Sequence, residues 1–336
     1  MTTIKDWDDC IADWYNNNKA IKGPMASFGS MEELLSFEYL PEPYYGDYKN
    51  CIIPVININP GSGSNNEDVK NWNYAHNPNG IWSHCSSQHI SCGGPRAGQL
   101  INDFAYVYKC KYSDWQKDYS PFVAPPCVPG VNWWKNNRNE YINRVLELYD
   151  AFKKGTGVSA LFEKDEDAKN TFVGLTPYAL ELCPLHSKSA PNFKKSLIDT
   201  FRDNTIAPAC VSLKYSKIPF GLGFSAKVCN VLLNSGLFVE CKRWENGYEI
   251  AGTSKREIIN SWPQKDGKPI NRTYVLLKGK SGEEVEFNGE KIEFNNQCPY
   301  FLITWQSGSF IKLTHQVMLD FEKVDEFIVN EVAKIV

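Results

Sequence analysis

The chain lacks the features that mark membrane-spanning and secreted proteins. Its 336 residues contain no apolar run near the roughly 20 residues that a membrane-spanning helix needs. The acidic N-terminal stretch MTTIKDWDD has no signal-peptide apolar core, and no internal repeat or low-complexity segment stands out. We therefore expect a cytoplasmic globular protein without a membrane partner. A composition of 42% hydrophobic and 22% charged residues is typical of that class.

An excess of positive charge is missing as well. The 36 Lys and Arg residues are balanced by 39 Asp and Glu residues, for a formal net charge of −3. A nucleic-acid partner would therefore need a local basic face, because no global one exists. One candidate for such a face is the set Lys188, Lys194, Lys195 and Arg202. The simpler interpretation of these residues is a solvated helix surface.

The eleven cysteines follow no disulfide or metal-binding pattern. An odd number of cysteines in a cytoplasmic chain favours reduced and mostly buried thiols. Cys85, His89 and Cys92 could ligate zinc if Cys110 or Cys127 completed the site. Their spacing fits no close zinc pattern. We therefore predict that the protein needs no metal and no cofactor.

Alternating apolar strands and amphipathic helices predict an α/β fold with a central, mostly parallel sheet. The predicted strands lie within residues 52–57, 171–183, 218–223 and 300–304. The predicted helices lie within residues 3–20, 31–37, 137–154, 193–202, 225–234 and 316–336. We expect these elements to form one domain, residues 1–336, with a three-layer α/β/α arrangement.

Two segments interrupt this alternation. Residues 62–135 are rich in Asn, Gly, Ser, Pro and Trp, and their apolar residues show little helical or strand periodicity. We therefore expect an ordered, loop-rich insertion. Residues 240–298 contain short β-prone runs between turn signals, which predicts a β-hairpin insertion. The turn signals are the dipeptides Asn246-Gly247, Asp266-Gly267, Ser281-Gly282 and Asn288-Gly289.

Three of the apolar runs end in small or polar residues. They continue into residues 57–61 (NINPG), 181–187 (ELCPLHS) and 304–309 (TWQSGS). A parallel sheet would bring these ends to one edge, where ligands bind in open α/β folds. Pro60 lacks an N–H and Gly61 permits positive φ, so the chain can turn tightly over a bound group. Taken singly, each end is an ordinary exit from a strand into a loop.

Together, these segments resemble the uracil-DNA glycosylase superfamily, nearest to its single-strand-selective monofunctional and mismatch-specific branches. That superfamily carries Gly-x-Asn-Pro-Gly after its first core strand and His-Pro-Ser or Asn-Pro-Ser-Gly near the chain end. The single-strand-selective branch adds Asn-x-Cys-Pro-Leu at an intermediate strand. Here residues 59–61 match the first motif, 183–185 the intermediate one and 307–308 part of the last. Residues 216–234 resemble the family's intervening strand and helix, and the likeness covers about half of the chain.

The resemblance implies a DNA glycosylase-like hydrolase that cleaves the N-glycosidic bond of a flipped-out base, as in base-excision DNA repair. Asn59 would position the attacking water, and the backbone of residues 57–61 would hold a carbonyl oxygen of the base. Residues 307–309 would grip the sugar or phosphate. The candidate catalytic residues are Asn57, Asn59 and Ser307. The candidate substrate contacts are Ile58, Pro60, Gly61, Glu181, Cys183, His186, Trp305, Gln306, Gly308 and Ser309.

Departures from the family motifs imply a changed base preference. Asn57 replaces the first glycine, and Trp305 and Gln306 replace the His-Pro of the last motif. Glu181 stands where the intermediate motif has its base-reading Asn. A carboxylate repels O4 of uracil but accepts a hydrogen bond from an exocyclic amine such as cytosine N4. We therefore predict an amino-bearing or modified, cytosine-like base, unless a one-residue slip turns Glu181 to the other face of its strand, into a salt bridge.

Two other classes of function stay open beside a glycosylase acting on single-stranded or modified DNA. One is a catalytically inactive nucleic-acid binding module with the same fold. The other is a hydrolase of a nucleoside or another small ligand, which the lack of global positive charge favours. Salt-dependent binding of oligonucleotides is expected of the glycosylase and of the inactive binding module, but not of the small-ligand hydrolase. Product analysis separates an enzyme from a binding module.

Overall fold

A computed structural model describes the fold of a large part of the chain. The described residues are 2–3, 6–7, 9–10, 23–31, 44–45, 48–49, 51, 53–59, 178–185, 187, 191–216, 218–265, 267–295, 298–306 and 322–336. Within them, a nine-stranded mixed sheet packs against several helices, which is consistent with the predicted α/β class. The predicted helix at 137–154 and the predicted insertion at 62–135 lie outside the described residues.

Thirteen strands form in the described part of the chain. They are β1 (Tyr44–Tyr45), β2 (Pro54–Asn57), β3 (Tyr178–Glu181), β4 (Gly221–Phe224), β5 (Phe238–Glu245), β6 (Tyr248–Ala251), β7 (Ser254–Glu257), β8 (Gln264–Lys265), β9 (Lys268–Pro269), β10 (Arg272–Gly279), β11 (Glu284–Phe287), β12 (Glu290–Glu293) and β13 (Tyr300–Gln306). All four predicted strands are found, with bounds that differ by a few residues.

Helical residues connect and cover these strands. A 3₁₀ helix spans Gly23–Met31. A continuous helical segment then runs through 3₁₀ (Lys195–Leu197), α1 (Ile198–Phe201), a π-helical turn (Arg202–Ile206) and α2 (Ala207–Ser212). The last two helices are α3 (Ala226–Asn234) and α4 (Glu322–Ala333). No helix in the described part of the chain is long and apolar enough to cross a bilayer.

The principal sheet has a parallel centre and antiparallel flanks. Its strand order is β1-β3-β2-β4-β13-β10-β5-β6-β7. The neighbours β3, β2, β4 and β13 are parallel, which accounts for three of the eight strand pairings, whereas a mostly parallel sheet was predicted. The remaining pairings are antiparallel, so the sheet as a whole is mixed. Short hairpin connections, which parallel strands cannot use, join the antiparallel pairs β5–β6 and β6–β7.

Three of the four turns predicted within residues 240–298 join antiparallel strands, whereas Ser281-Gly282 lies between β10 and β11, which do not pair. Asn246 and Gly247 have φ of 52° and 92° between β5 and β6, and Asn288 and Gly289 have φ of 51° and 78° between β11 and β12. Positive φ at both central residues is what a type I′ hairpin turn requires. β5, β6, β7 and β10 join the principal sheet, whereas β11–β12 and β8–β9 form separate hairpins. The assignment of this segment as an insertion stays a prediction.

Alternate residues of the central strands pack into two hydrophobic clusters, one on each face of the sheet. Phe301 and Ile303 of β13 belong to the first cluster, and Leu302 between them belongs to the second. α2 and α3 contribute Val211, Val228 and Leu232 to the first cluster. α4 contributes Val324, Ile328, Val329 and Val332 to the second cluster.

Two glycines of β4 permit this packing. A Cβ on Gly221 would lie 2.2 Å from Cε1 of Phe301, and one on Gly223 would lie 2.5 Å from Cδ1 of Ile303. We expect Gly221→Ala to lower the free energy of unfolding by about 1–3 kcal/mol, as overpacking of a core does. Urea denaturation measures this loss. Gly29→Ala is the control, since a Cβ there meets nothing within 4 Å, and equal losses in both variants would contradict the packing argument.

Candidate functional site at the carboxyl edge of the sheet

The carboxyl ends of the four parallel strands lie at one edge of the sheet. Asn57 pairs with Glu181 across β2 and β3. On the other side of β2, the register Ile56–Gly223–Ile303 places Phe224 and Thr304 level with Asn57. Open α/β sheets bind ligands beyond such an edge. The structure therefore gathers three of the sequence segments singled out by their polar ends.

Asn57 and Glu181 form a buried hydrogen-bonded pair at this edge. Nδ2 of Asn57 donates to Oε1 of Glu181 over 3.1 Å. Their exposed fractions are 2% and 6%. The flanking residues Ile56 and Leu180 belong to the first cluster, so strand alternation turns both polar side chains toward the opposite face. This contact joins the first and the intermediate predicted motifs.

Asn59 lies just beyond β2 and contacts the segment that follows β3. Its Nδ2 donates to Oγ of Ser187 over 2.9 Å, and Ser187 is buried. The water-positioning role predicted for Asn59 uses the carbonyl oxygen of its amide. The bond to Ser187 engages the other end of the amide and so fixes the direction of that oxygen.

The backbone after β3 remains tied to β2. The N–H groups of Leu182 and Cys183 donate to the carbonyls of Asn57 and Ile58 over 3.0 and 2.9 Å. The Cys183 thiol is fully buried and donates to the carbonyl of Leu185 over 3.7 Å. Burial raises the pKa of this thiol to about 12, so it stays protonated and is a poor nucleophile. The substrate contact predicted for Cys183 stays a prediction.

Trp305, from the end of β13, lies on the opposite face from the Asn57–Glu181 pair. It is partly buried against the first cluster, as is Ile58, and the Arg243 guanidinium carbon lies 5.8 Å from the centroid of a Trp305 ring. Gln306 ends β13 and pairs with Arg272. The other predicted site residues, Pro60, Gly61, His186, Ser307, Gly308 and Ser309, lie outside the described residues.

The strands β2 and β4 diverge at this edge. The chain leaves β2 toward β3 on one side and leaves β4 toward β5 on the other, which defines a topological switch point. Pairing between β2 and β4 ends at Ile56 and Gly223, and beyond it the carbonyls of both Asn57 and Ile58 accept N–H groups from the chain after β3. A crevice between the ends of β2 and β4 is the usual ligand position in such a sheet.

Ser225 borders the end of β4 and was not predicted as a site residue. Its φ of 151° and ψ of 148° lie in a region that non-glycine residues rarely adopt. Its side-chain oxygen accepts the backbone N–H of Lys227 over 3.0 Å and caps α3. The sequence signal was a short glycine-rich strand followed directly by a serine and a helix.

A cavity of about 510 Å³ lies elsewhere, between the N-terminal residues and the helical segment 195–212. Its lining includes Asp6, Asp9, Asp199 and Asp203 and no predicted site residue. An acidic wall repels phosphates, so this cavity does not suit a nucleic acid.

Among the residues that the structure describes, no group of three or more His, Cys, Asp or Glu side chains is arranged to hold a metal. Cys85, His89, Cys92, Cys110 and Cys127 lie outside that set, so the absence of a metal stays a prediction. Comparisons with protein-family models, curated proteins and solved structures find no match for this chain. A functional proposal therefore depends on the carboxyl edge and on the motifs that lead to it.

Proposed function

We propose that the protein is a DNA glycosylase-like hydrolase of the uracil-DNA glycosylase type. Its substrate would be DNA, single-stranded or carrying a damaged, deaminated or modified base. The observation that supports this proposal is the 3.1 Å hydrogen bond between Asn57 and Glu181. These residues are 124 positions apart, and they come from the two segments whose resemblance implies base-holding and base-reading roles.

The wider fold fits the same proposal. Helices α2 and α3 pack into the cluster on one face of the sheet and α4 into the cluster on the other, as a three-layer α/β/α domain requires. Every cysteine in the described ranges is a free thiol. Free thiols suit the cytoplasmic location that we propose.

Glu181 is the residue that we propose reads the base. Asn57 fixes one carboxylate oxygen, and Thr205 Oγ1 donates to the Glu181 backbone carbonyl over 3.0 Å. A carboxylate held in this way accepts a hydrogen bond from an exocyclic amine and repels a carbonyl oxygen. The low exposure of Glu181 strengthens both effects, because electrostatic interactions are larger away from bulk water. The pocket should therefore favour a cytosine-like base over uracil.

Glu181→Gln is the variant that tests this role. Glutamine keeps an oxygen for the Asn57 hydrogen bond but adds an N–H₂ donor that can pair with O4 of uracil. We expect the ratio of uracil release to cytosine-type release to rise at least about tenfold. The assay incubates end-labelled oligonucleotides, each with one test base, and cleaves abasic products with alkali. Glu257→Gln, on the exposed strand β7, is the matched control.

The outcomes separate the proposed function from its alternatives. Equal uracil release by the wild type and Glu181→Gln would remove the base-reading role while leaving the enzyme class intact. Salt-dependent binding of oligonucleotides without release of any base would identify an inactive binding module. The absence of both binding and release would favour a hydrolase of a nucleoside or another small ligand.

A further inference from the structure

A lysine ammonium lies in a corner formed by two tyrosine rings and a carboxylate, away from the carboxyl edge. Nζ of Lys49 is 5.4 Å from the ring centroid of Tyr48 and 5.7 Å from that of Tyr215. The same atom lies 3.1 Å from Oε1 of Glu290. The two rings are nearly perpendicular, at 83°, with centroids 6.1 Å apart. Such a corner presents two aromatic surfaces and one negative charge to a single cation.

The three walls of this corner are held by contacts with one another and with the core. Tyr48 Oη donates to Oε1 of Glu290 over 3.1 Å, and Tyr215 Oη donates to Oε2. The Tyr48 ring is buried and packs against Phe287 with a centroid distance of 5.4 Å. Burial raises the pKa of Glu290, but hydrogen bonds from Tyr215, Lys49 and Tyr48 outweigh burial and lower that pKa overall. The third wall is therefore an ionised carboxylate at neutral pH.

We propose that Tyr48, Tyr215 and Glu290 form a binding site for an alkylammonium group, and that Lys49 occupies this site in the isolated chain. Aromatic faces attract cations within roughly 6 Å of the ring centroid, and a carboxylate adds a charge-assisted hydrogen bond. The ligand that we infer is the side chain of a lysine on a protein partner, which would replace Lys49. This site is independent of the function proposed for the carboxyl edge.

Lys49 can leave without dismantling the site. Its side chain is 50% exposed, so its ammonium can return to water without unfolding. The β11–β12 hairpin, which carries Glu290, is anchored separately by the buried side chains Val285 and Phe287. Lys214 Nζ also donates to the Lys291 carbonyl over 2.6 Å. Because an intramolecular group competes at an effective concentration on the order of millimolar, an external ammonium must be present at a comparable concentration.

Chemical rescue of Lys49→Ala tests the proposal. Butylammonium chloride should raise the thermal unfolding midpoint of Lys49→Ala in a saturable manner, because it restores the missing ammonium. The wild type and Lys49→Ala/Tyr215→Leu should show no saturable rise. Lys280→Ala is the matched control. It removes an ammonium that is 56% exposed and 3.6 Å from Glu283, with no aromatic ring against it among the described residues. Sodium chloride at equal ionic strength corrects for screening.

A second measurement distinguishes the ammonium from general amine effects. In Lys49→Ala, Nα-acetyl-lysine methylamide should bind at least about fivefold more tightly than its Nε-acetylated form, which has lost the charge. Equal affinities, or an equal rise of the midpoint in Lys280→Ala, would overturn the proposal. Lys49→Met serves if Lys49→Ala does not fold. If neither variant folds, Lys49 is an obligatory part of the structure and the site is not exchangeable, which also overturns the proposal.

Discussion

Asp325→Ala is expected to lower the free energy of unfolding by about 3–5 kcal/mol, because it removes a buried carboxylate that lies against the buried guanidinium of Arg272. Arg272 is 1% exposed and Asp325 is 6% exposed. Nη2 of Arg272 lies 3.7 Å from Oδ1 of Asp325, and the Tyr274 hydroxyl donates to the same oxygen over 2.5 Å. The variant therefore disturbs a network that joins β10 to α4.

Urea denaturation measures the loss, and the matched control lies on the same helix. Glu331 contacts Lys334 over 2.6 Å and Lys242 over 3.4 Å, with both lysines partly exposed. Glu331→Ala should cost less than about 1 kcal/mol, as surface ion pairs do. Arg272→Met/Asp325→Leu should recover most of the loss of Asp325→Ala, since it removes both charges. Comparable losses in Asp325→Ala and Glu331→Ala would contradict the burial argument.

Asn57→Asp is expected to be the second strongly destabilising change, by about 2–4 kcal/mol near neutral pH. It replaces the donor in the 3.1 Å bond to Glu181 with a second carboxylate. Two buried carboxylates at this distance favour proton binding, so the pKa of the pair in the folded variant rises above its unfolded value. The folded state then binds more protons than the unfolded state, and stability falls as pH rises through that interval.

Unfolding of the variant at several pH values checks this sign. The penalty should be greatest above the raised folded pKa and should shrink as pH falls toward about 4, where unfolded carboxyl groups take up protons. Asn230→Asp on α3 is the control, because Asn230 is exposed and its change should stay within about 0.5 kcal/mol. A penalty of Asn57→Asp that does not vary with pH would exclude the like-charge mechanism.

Local signals in the sequence predicted the four central strands, helix α3 and two hairpin turns. Short apolar runs predicted β2 and β3, and apolar residues at helical spacing after a serine predicted α3. The turns at Asn246-Gly247 and Asn288-Gly289 follow from the positive φ that asparagine and glycine tolerate. These features depend on residues close together in the chain, so their physical cause is visible in the sequence.

Contacts between segments that are distant in the chain were harder to predict from the sequence. Hairpin signals gave the turns around β5 and β10 but did not show that these strands extend the principal sheet, because strand partners are chosen by tertiary packing. Nothing in the sequence distinguishes Arg272 and Asp325 from surface charges. The polar strand ends and the family resemblance placed Asn57 and Glu181 at one edge of the sheet, but they did not predict the hydrogen bond between them. The same motifs predicted Trp305 as a substrate contact. Its side chain lies on the face of the sheet opposite the Asn57–Glu181 pair, because side chains alternate along β13.

The wide separation of β2 from β3 has an entropic consequence for the carboxyl edge. Asn57 and Glu181 are 124 residues apart, and closing such a loop costs about 2 kcal/mol more than closing one of about eight residues. The hairpins from β5 to β7 avoid most of this penalty. The entropic cost of bringing Asn57 and Glu181 together must therefore be offset by stabilising contacts elsewhere in the sheet. A ligand that bridges β2 and β3 would offset part of the same cost with its binding free energy.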